Sequence, residues 1–231
     1  MAHPVRTGID RERVHAICFD IDGTLADTDN AYIDHLVRWL KPVRWMIPGG
    51  EVQVAARRLV LALETPANAF VAGMDRIGLD QVIGPITDFL YRLRGARPAH
   101  GMQLIAGTHE MLRSLSAHYP LAIATARERH SAFAFLNEYH LDPFFTCVAT
   151  ARSTRRAKPH PAPILWVCEQ LAIDPANLLM VGDTVGDIRS ARAAGAQTAG
   201  VLCGFGQREE LEKAGADEIF QTTAEIPATL L

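Results

Sequence analysis

A chain of 231 residues, with 48% hydrophobic and 21% charged side chains, suits one sizeable domain or a core domain with an insertion. The net charge of −3 gives no electrostatic reason to expect nucleic acid or an anionic membrane as a partner. The N-terminal segment is charged where a signal peptide needs an apolar stretch, and the four scattered cysteines suit a reducing compartment. We therefore expect a cytoplasmic protein.

The first predicted element is a buried strand at 14–19, an apolar run too short for a helix. Asp20 and Asp22 follow it, and residues two positions apart in an extended chain project to the same side. Two carboxylates that close repel each other unless a cation or a shared proton relieves them. The pattern therefore indicates a divalent metal site, a nucleophile–acid pair, or both. A surface turn built on Asp22 and Gly23 is the alternative.

Residues 27–98 differ from the rest of the chain, because apolar positions recur there with a helical period and no strand is predicted. This block separates the first strand from an alternating pattern that begins near residue 100. We therefore predict a helical cap domain at 27–98, inserted into a core domain made of residues 1–26 and 99–231. A basic cluster near its end suits either an anionic substrate group or a solvated face: Arg92, Arg94 and Arg97.

From about residue 100 onward, short apolar runs alternate with helical patterns, which predicts a parallel sheet with crossover helices on its faces. The predicted strands are 121–124, 144–149, 178–181, 198–202 and 218–220. The predicted helices are 109–117, 128–139, 161–171 and 187–194. Gly195 is suited to ending the last of these helices.

Three further features with polar side chains lie at or after predicted strand ends. Thr125 lies at a strand-to-helix turn, where its hydroxyl and nearby N–H groups suit an anion or, alternatively, a helix cap. Lys158 precedes alternating prolines, which restrict its backbone. Asp183 ends another strand, where a metal ligand or base would lie. Asp187 follows in the first helical turn, where its charge also suits the helix dipole.

In a parallel sheet, the carboxyl ends of the strands form one crevice in which ligands bind. This arrangement would bring three acids, a hydroxyl and a lysine around one point: Asp20, Asp22, Asp183, Thr125 and Lys158. Carboxylate oxygens are the ligands that Mg²⁺ prefers, and a lysine with a hydroxyl suits phosphoryl oxygens. The sequence therefore predicts a site for a metal ion and a phosphate group.

These motifs resemble, in order, those of the haloacid dehalogenase (HAD) superfamily of phosphotransferases: DIDGTL at 20–25, Thr125, Lys158 in KPHP, and GDTVGD at 182–187. The resemblance covers nearly the whole chain. It implies an α/β class fold, with a Rossmann-like parallel sheet core and an inserted α-helical cap. The position of the helical block is similar to that in phosphoglycolate phosphatase-like and β-phosphoglucomutase-like members.

The resemblance implies a role for each acid of the crevice. Asp20 would be the nucleophile that forms an aspartyl-phosphate. Asp22 would be the general acid for the leaving alcohol and then the base for water. Mg²⁺ would be bound by the side chains of Asp20 and Asp183 and by the backbone carbonyl of Asp22.

The remaining motif residues would bind the phosphoryl group or support the site. Lys158 would pair with Asp20 and with a phosphoryl oxygen, and Thr125 with the Ala126 N–H would hold another oxygen. Thr24 would hydrogen-bond near Asp22, and Asp187 would support the metal through its waters or second shell.

The expected function is a Mg²⁺-dependent phosphatase acting on a small phosphorylated metabolite. The resemblance implies that dehalogenases and phosphonoacetaldehyde hydrolases lack an acid equivalent to Asp22, which favours phosphoester chemistry here. The alternatives are a sugar phosphomutase, which needs tight cap closure, and a non-catalytic phospholigand-binding protein. Arg127 is predicted to lie on the helix surface rather than at the mouth of the site. Neither the substrate nor the oligomeric state is predicted.

Overall fold

The computed structural model describes residues 8–27 and 103–231. Of the predicted cap domain at 27–98, all but Asp27 lies outside the described residues, as does the cluster of Arg92, Arg94 and Arg97. Within the described part of the chain, no helix has both the length and the apolar character that a membrane span requires.

Six strands form one parallel sheet, as the alternating pattern predicts. The strands along the chain are β1 (Ala16–Phe19), β2 (Ala26–Asp27), β3 (Gln103–Leu104), β4 (Leu121–Ala124), β5 (Phe145–Ala149), β6 (Leu178–Gly182), β7 (Gln197–Val201) and β8 (Glu218–Phe220). The order across the sheet is β5-β4-β1-β6-β7-β8, and every neighbouring pair is parallel. The short strands β2 and β3 form a separate antiparallel pair.

The helices connect and cover these strands. They are α1 (Thr108–Ser116), α2 (Arg129–Glu138), α3 (Ala162–Leu171), α4 (Val185–Ala194), α5 (Arg208–Ala214) and α6 (Ile226–Leu230). The first four are confirmed to within two residues of their predicted bounds. Gly195 ends α4 with φ at 88°, a left-handed conformation that favours glycine and that confirms its predicted role.

Apolar side chains cover both faces of the sheet, which explains why its inner strands are buried at every position. Ile17 and Phe19 of β1 belong to one core cluster, with Met111 of α1 and Phe135 of α2. Alternate residues belong to a second cluster on the other face, where α3 and α4 pack: Ala16, Cys18, Ile164, Val167 and Ala191. Each large side chain buried in this way contributes about 2 kcal/mol of hydrophobic stabilisation.

The order of the strands sets the location of a crevice. The chain passes from β1 outward through β4 to β5, and then returns to the other side of β1 for β6, β7 and β8. The connections therefore diverge on either side of β1, and the carboxyl ends of β4, β1 and β6 border the point of reversal. In open α/β sheets, this is where ligands bind.

Candidate active site

Asp20 lies directly after β1, at the centre of the crevice, and its side chain is almost fully buried. Its backbone N–H donates to the Val181 carbonyl of β6 at 3.0 Å, which fixes the residue against the neighbouring strand. Burial raises the pKa of Asp20 to about 7, and the nearby charges of Asp187 and Asp22 add to that effect, while Lys158 opposes it. A carboxylate held in such surroundings is a candidate catalytic group.

Lys158 reaches the same point from the loop between β5 and α3, and it is 6% exposed. Its Nζ donates to the Ala124 carbonyl at 2.7 Å and to Asp187 Oδ1 at 2.5 Å, and it lies 3.1 Å from Asp20 Oδ1. Burial lowers the pKa of Lys158, but the two carboxylates outweigh it and hold that pKa above its ordinary value. The lysine is therefore a fixed positive charge beside Asp20.

Asp187 is oriented by the start of α4. Thr184 caps this helix: its N–H and its hydroxyl both donate to Asp187 Oδ2, at 3.0 and 2.6 Å, and the Asp187 N–H donates back to the Thr184 hydroxyl. The other carboxylate oxygen of Asp187 accepts from Lys158. Asp187 therefore lies in the first turn of α4, where its charge suits the helix dipole, and its carboxylate also contacts Lys158.

Asp183 follows β6, and its side chain is fully buried. Its Oδ2 accepts the Phe205 N–H at 2.9 Å, and the Thr24 hydroxyl donates to its Oδ1 at 3.4 Å. Glycines crowd this carboxylate: a Cβ added at Gly23 or at Gly204 would lie 2.2 Å from Asp183 Oδ2. Gly23 also has φ at 74°, so a side chain there would meet both backbone strain and the carboxylate.

Asp22 and Arg127 form an ion pair. Arg127 Nε donates to Asp22 Oδ2 at 2.7 Å, and Nη2 donates to Oδ1 at 2.6 Å. The arginine side chain has no exposed surface, whereas the aspartate side chain is 21% exposed. The prediction that Arg127 lies on a helix surface is therefore wrong. The residue precedes α2, and its charge is turned inward because Asp22 neutralises it.

Thr125 follows β4, and its N–H donates to the Ala149 carbonyl of β5 at 2.9 Å. Its hydroxyl accepts the Arg127 N–H at 3.2 Å, which tightens the turn that leads towards α2. Thr125 is buried, and Ala126 is half-buried. The hydroxyl therefore lies at the end of β4, the strand that neighbours β1, and it does not cap α2, whose N-cap residue is Glu128.

The donor set of this crevice fits a hard divalent cation. Carboxylate oxygens of Asp20, Asp183 and Asp187 lie within 4.8 Å of one another. The buried Oδ1 of Asp20 has the Lys158 ammonium at 3.1 Å and no other donor among the described residues. A carboxylate oxygen has room for a further partner, and Mg²⁺ prefers oxygen ligands. Asp183 and Asp187 each accept hydrogen bonds from protein donors on both carboxylate oxygens.

The family model of haloacid dehalogenase-like hydrolases matches residues 17–201, a span that contains Asp20, Lys158 and Asp183. The chain belongs to this family. It is 25% identical over 231 residues to the phosphoglycolate phosphatase of Escherichia coli (strain K12), with 93% of this chain and 92% of that protein covered. It is 28% identical over 217 residues to pyrophosphatase PpaX of Anoxybacillus flavithermus, with 94% and 97% covered.

Solved structures agree with this placement in the family. A HAD-superfamily hydrolase of subfamily IA, variant 1, from Geobacter sulfurreducens is 26% identical with a TM-score of 0.59, over 95% of this chain and 97% of that one. A putative β-phosphoglucomutase from Thermotoga maritima is 21% identical with a TM-score of 0.62 and shares the fold. The predicted superfamily and α/β sheet are therefore confirmed, as is the prediction of an enzyme of the phosphatase type.

The structure brings most of the predicted site residues together at the crevice. Asp20, Lys158 and Asp187 are in direct contact, and Thr24 joins Asp183. The carboxylate of Asp22 is directed to Arg127. Sequence reasoning missed this arginine as a member of the site. The one signal in the sequence that could have placed Arg127 at the site was its position two residues after Thr125. The turn after a strand end lies at the edge of the sheet that borders the crevice.

Proposed function

We propose that the protein is a Mg²⁺-dependent phosphatase that hydrolyses the monoester of a small phosphorylated metabolite through an aspartyl-phosphate on Asp20. One observation carries the proposal. Asp20 lies at the point where the strand connections diverge, with its Oδ1 at 3.1 Å from the Lys158 ammonium and a carboxylate oxygen within 4.8 Å of one of Asp183, and the described residues offer its Oδ1 no other donor. A nucleophilic carboxylate needs this combination of neighbouring positive charge and an available oxygen.

Two steps follow from this arrangement. In the first, an oxygen of Asp20 forms a bond to phosphorus and the ester P–O bond breaks, while Asp22, protonated on one oxygen with the other still accepting from Arg127, gives its proton to the leaving alcohol oxygen. In the second, Asp22 takes a proton from water, the water oxygen bonds to phosphorus, and the bond between phosphorus and Asp20 breaks. The products are an alcohol and inorganic phosphate, and both carboxyl groups return to their starting state.

The other residues of the crevice hold the phosphoryl group. The Lys158 ammonium, the Thr125 hydroxyl and the Ala126 N–H would bind phosphoryl oxygens and stabilise the charge that develops on them. Asp187 would keep Lys158 directed at Asp20, and Thr24 would orient Asp183.

The metal proposal concerns the same residues. The carboxylates of Asp20 and Asp183 and the backbone carbonyl of Asp22 would hold Mg²⁺. A bound Mg²⁺ offsets the repulsion between an anionic carboxylate and an anionic phosphoryl group. The chemistry of these oxygen donors suits Mg²⁺ better than a soft metal such as copper(I).

We propose a class of substrate, small phosphorylated anions, and not one compound. The two curated relatives are named for phosphoglycolate and for pyrophosphate, both small phosphorylated anions. We assign the choice among such anions to the predicted cap domain at 27–98. The phosphomutase alternative also depends on cap residues, and the described residues give no argument for it.

The test measures phosphate release from a panel of phosphorylated metabolites, with Mg²⁺ and with EDTA. We compare the wild type with Asp20→Asn and with Asp142→Asn, which makes the same substitution at an exposed position. We expect release that needs Mg²⁺, survives in Asp142→Asn, and falls on the order of 10⁴-fold or more in Asp20→Asn. Release by folded Asp20→Asn at the wild-type rate would contradict the proposal, and so would no release from any substrate.

A further inference from the structure

Arg127 is the largest of the fully buried side chains among the described residues, and it is charged. It is enclosed by α2: Nη1 donates to the Ser131 hydroxyl at 3.4 Å, and its Cζ lies 5.5 Å from the centre of the Phe135 ring. Burying a guanidinium is costly unless a partner compensates its charge. Here the Asp22 carboxylate does so, through two parallel hydrogen bonds.

The backbone of Arg127 is held as firmly as its side chain. Its N–H donates to the Thr125 hydroxyl at 3.2 Å, and its carbonyl accepts the Ala151 N–H at 2.8 Å. The backbone from which the guanidinium extends is therefore fixed next to the ends of β4 and β5. A bidentate contact from the planar guanidinium fixes the orientation of the Asp22 carboxylate, and a lysine ammonium cannot make such a contact.

We propose that Arg127 is a positioning residue for Asp22: its guanidinium sets the direction in which the Asp22 carboxyl group meets the leaving-group oxygen. The inference rests on the proposed function, in which Asp22 exchanges protons with the leaving alcohol and with water. It adds Arg127 to the proposed mechanism as a residue that affects the reaction only by orienting Asp22. A substrate-binding role does not fit the described geometry, since the arginine side chain has no exposed surface.

The test uses leaving groups that differ in their need for a proton. An alkyl phosphate releases a strongly basic alkoxide unless an acid protonates it, whereas 4-nitrophenyl phosphate releases a weakly basic phenolate. The value of kcat/KM reports the first step for both substrates. For Arg127→Lys, we expect it to fall at least about tenfold with the alkyl phosphate and less than about threefold with 4-nitrophenyl phosphate.

The matched control is Arg129→Lys, which makes the same substitution two residues away, where the side chain is exposed and packs on Phe133. We expect this control to keep wild-type kcat/KM with both substrates. An equal loss with both substrates in folded Arg127→Lys would overturn the inference, because an unspecific structural effect does not depend on the leaving group. Wild-type values in Arg127→Lys would also overturn it.

A double variant tests whether Arg127 acts through Asp22. In the Asp22→Asn background, we expect adding Arg127→Lys to lower kcat/KM for the alkyl phosphate by no more than about threefold, because the group that it orients is already gone. A further loss of tenfold or more would overturn the inference. If the wild type releases no phosphate at all, the proposed function fails. If the wild type releases phosphate but the leaving-group dependence and the double-variant result are not as expected, only the inference about Arg127 fails.

A measurement on the intact arginine covers the case in which Arg127→Lys does not fold. In ¹⁵N spectra of the arginine Nε–H groups, we expect one slowly exchanging signal to shift or to exchange faster in Asp22→Asn, and none to change in Asp142→Asn. An unchanged arginine spectrum in Asp22→Asn would overturn the inference.

Discussion

Two buried cations pair with the two acids of the DIDGTL motif, and the two pairs differ in geometry. Lys158 lies among three acceptors: it donates to a carbonyl and to Asp187, and it makes an ion-pair contact with Asp20. Arg127 gives two parallel hydrogen bonds to a single carboxylate, that of Asp22. The two acids are two residues apart, but their cations come from separate loops.

The difference follows from the shapes of the two cations. An ammonium is a compact charge with three donors, so it suits a point where several oxygens converge and a phosphoryl oxygen would join them. A guanidinium is a planar fork, so it fixes the direction of one carboxylate. The proposed nucleophile thus has an adaptable partner, whereas the proposed acid has one of fixed geometry.

The largest effect is expected from Lys158→Met, which leaves the Asp20 and Asp187 carboxylates buried without their cation. Phosphate release should fall about 10²- to 10³-fold. The free energy of unfolding in metal-free buffer should drop by about 3 to 5 kcal/mol, measured by urea denaturation. Lys213→Met, at an exposed position of α5, is the control and should change neither quantity. A stability loss below about 1 kcal/mol would mean that Lys158 does not compensate the two acids.

A smaller effect is expected from Asp22→Ala, which leaves the Arg127 guanidinium without its carboxylate. The free energy of unfolding should fall by about 2 kcal/mol, less than for a fully buried pair because Asp22 is partly exposed to screening water. Urea denaturation again measures it. Glu212→Gln removes an exposed pair with Arg208, which is 3.8 Å away, and should cost less than about 0.5 kcal/mol. Equal losses in the two variants would show that the Arg127 pair behaves as a surface pair.

The smallest effect is expected from Thr184→Ala, which removes the cap of α4 and one support of Asp187. We expect a loss of about 1 kcal/mol in urea denaturation, the usual cost of an N-cap. Thr184→Ser keeps the hydroxyl and should stay near wild type. Such a loss in the alanine variant would show that the start of α4 supports Asp187, the partner of Lys158, whereas the pair of Asp22 and Arg127 has no such support among the described residues. Similar stability of the alanine and serine variants would refute this dependence.

Much of the sheet could be predicted because its strands are short apolar runs that are buried on both faces. The bounds predicted for β4 and β8 are those observed. Helix α5 was not predicted, since its sequence REELEKA is mostly charged and buries only Leu211, which gives no apolar period. The pairing of β2 with β3 was not predicted either, because two residues are too few for a strand pattern.

The site could be predicted as far as residue types and strand ends determine it. Asp20, Thr125 and Asp183 each follow a strand of the central sheet, so the parallel topology brings them to one edge. Arg127 could not be assigned in this way. Charged side chains are usually exposed, and the partner that buries this one lies 105 residues away in the sequence. Burial of such a residue depends on tertiary contacts that local patterns do not contain.

The two glycines against Asp183 have a consequence for protein engineering. Gly23 and Gly204 belong to loops after different strands, and a methyl group on either would overlap the same carboxylate oxygen. Both loops therefore pack against the carboxylate of Asp183, and both need a residue without a Cβ at the point of contact. A chimaera that exchanges one of them with a relative must bring a glycine to the same position. A library that randomises either position should return glycine almost alone among its active members.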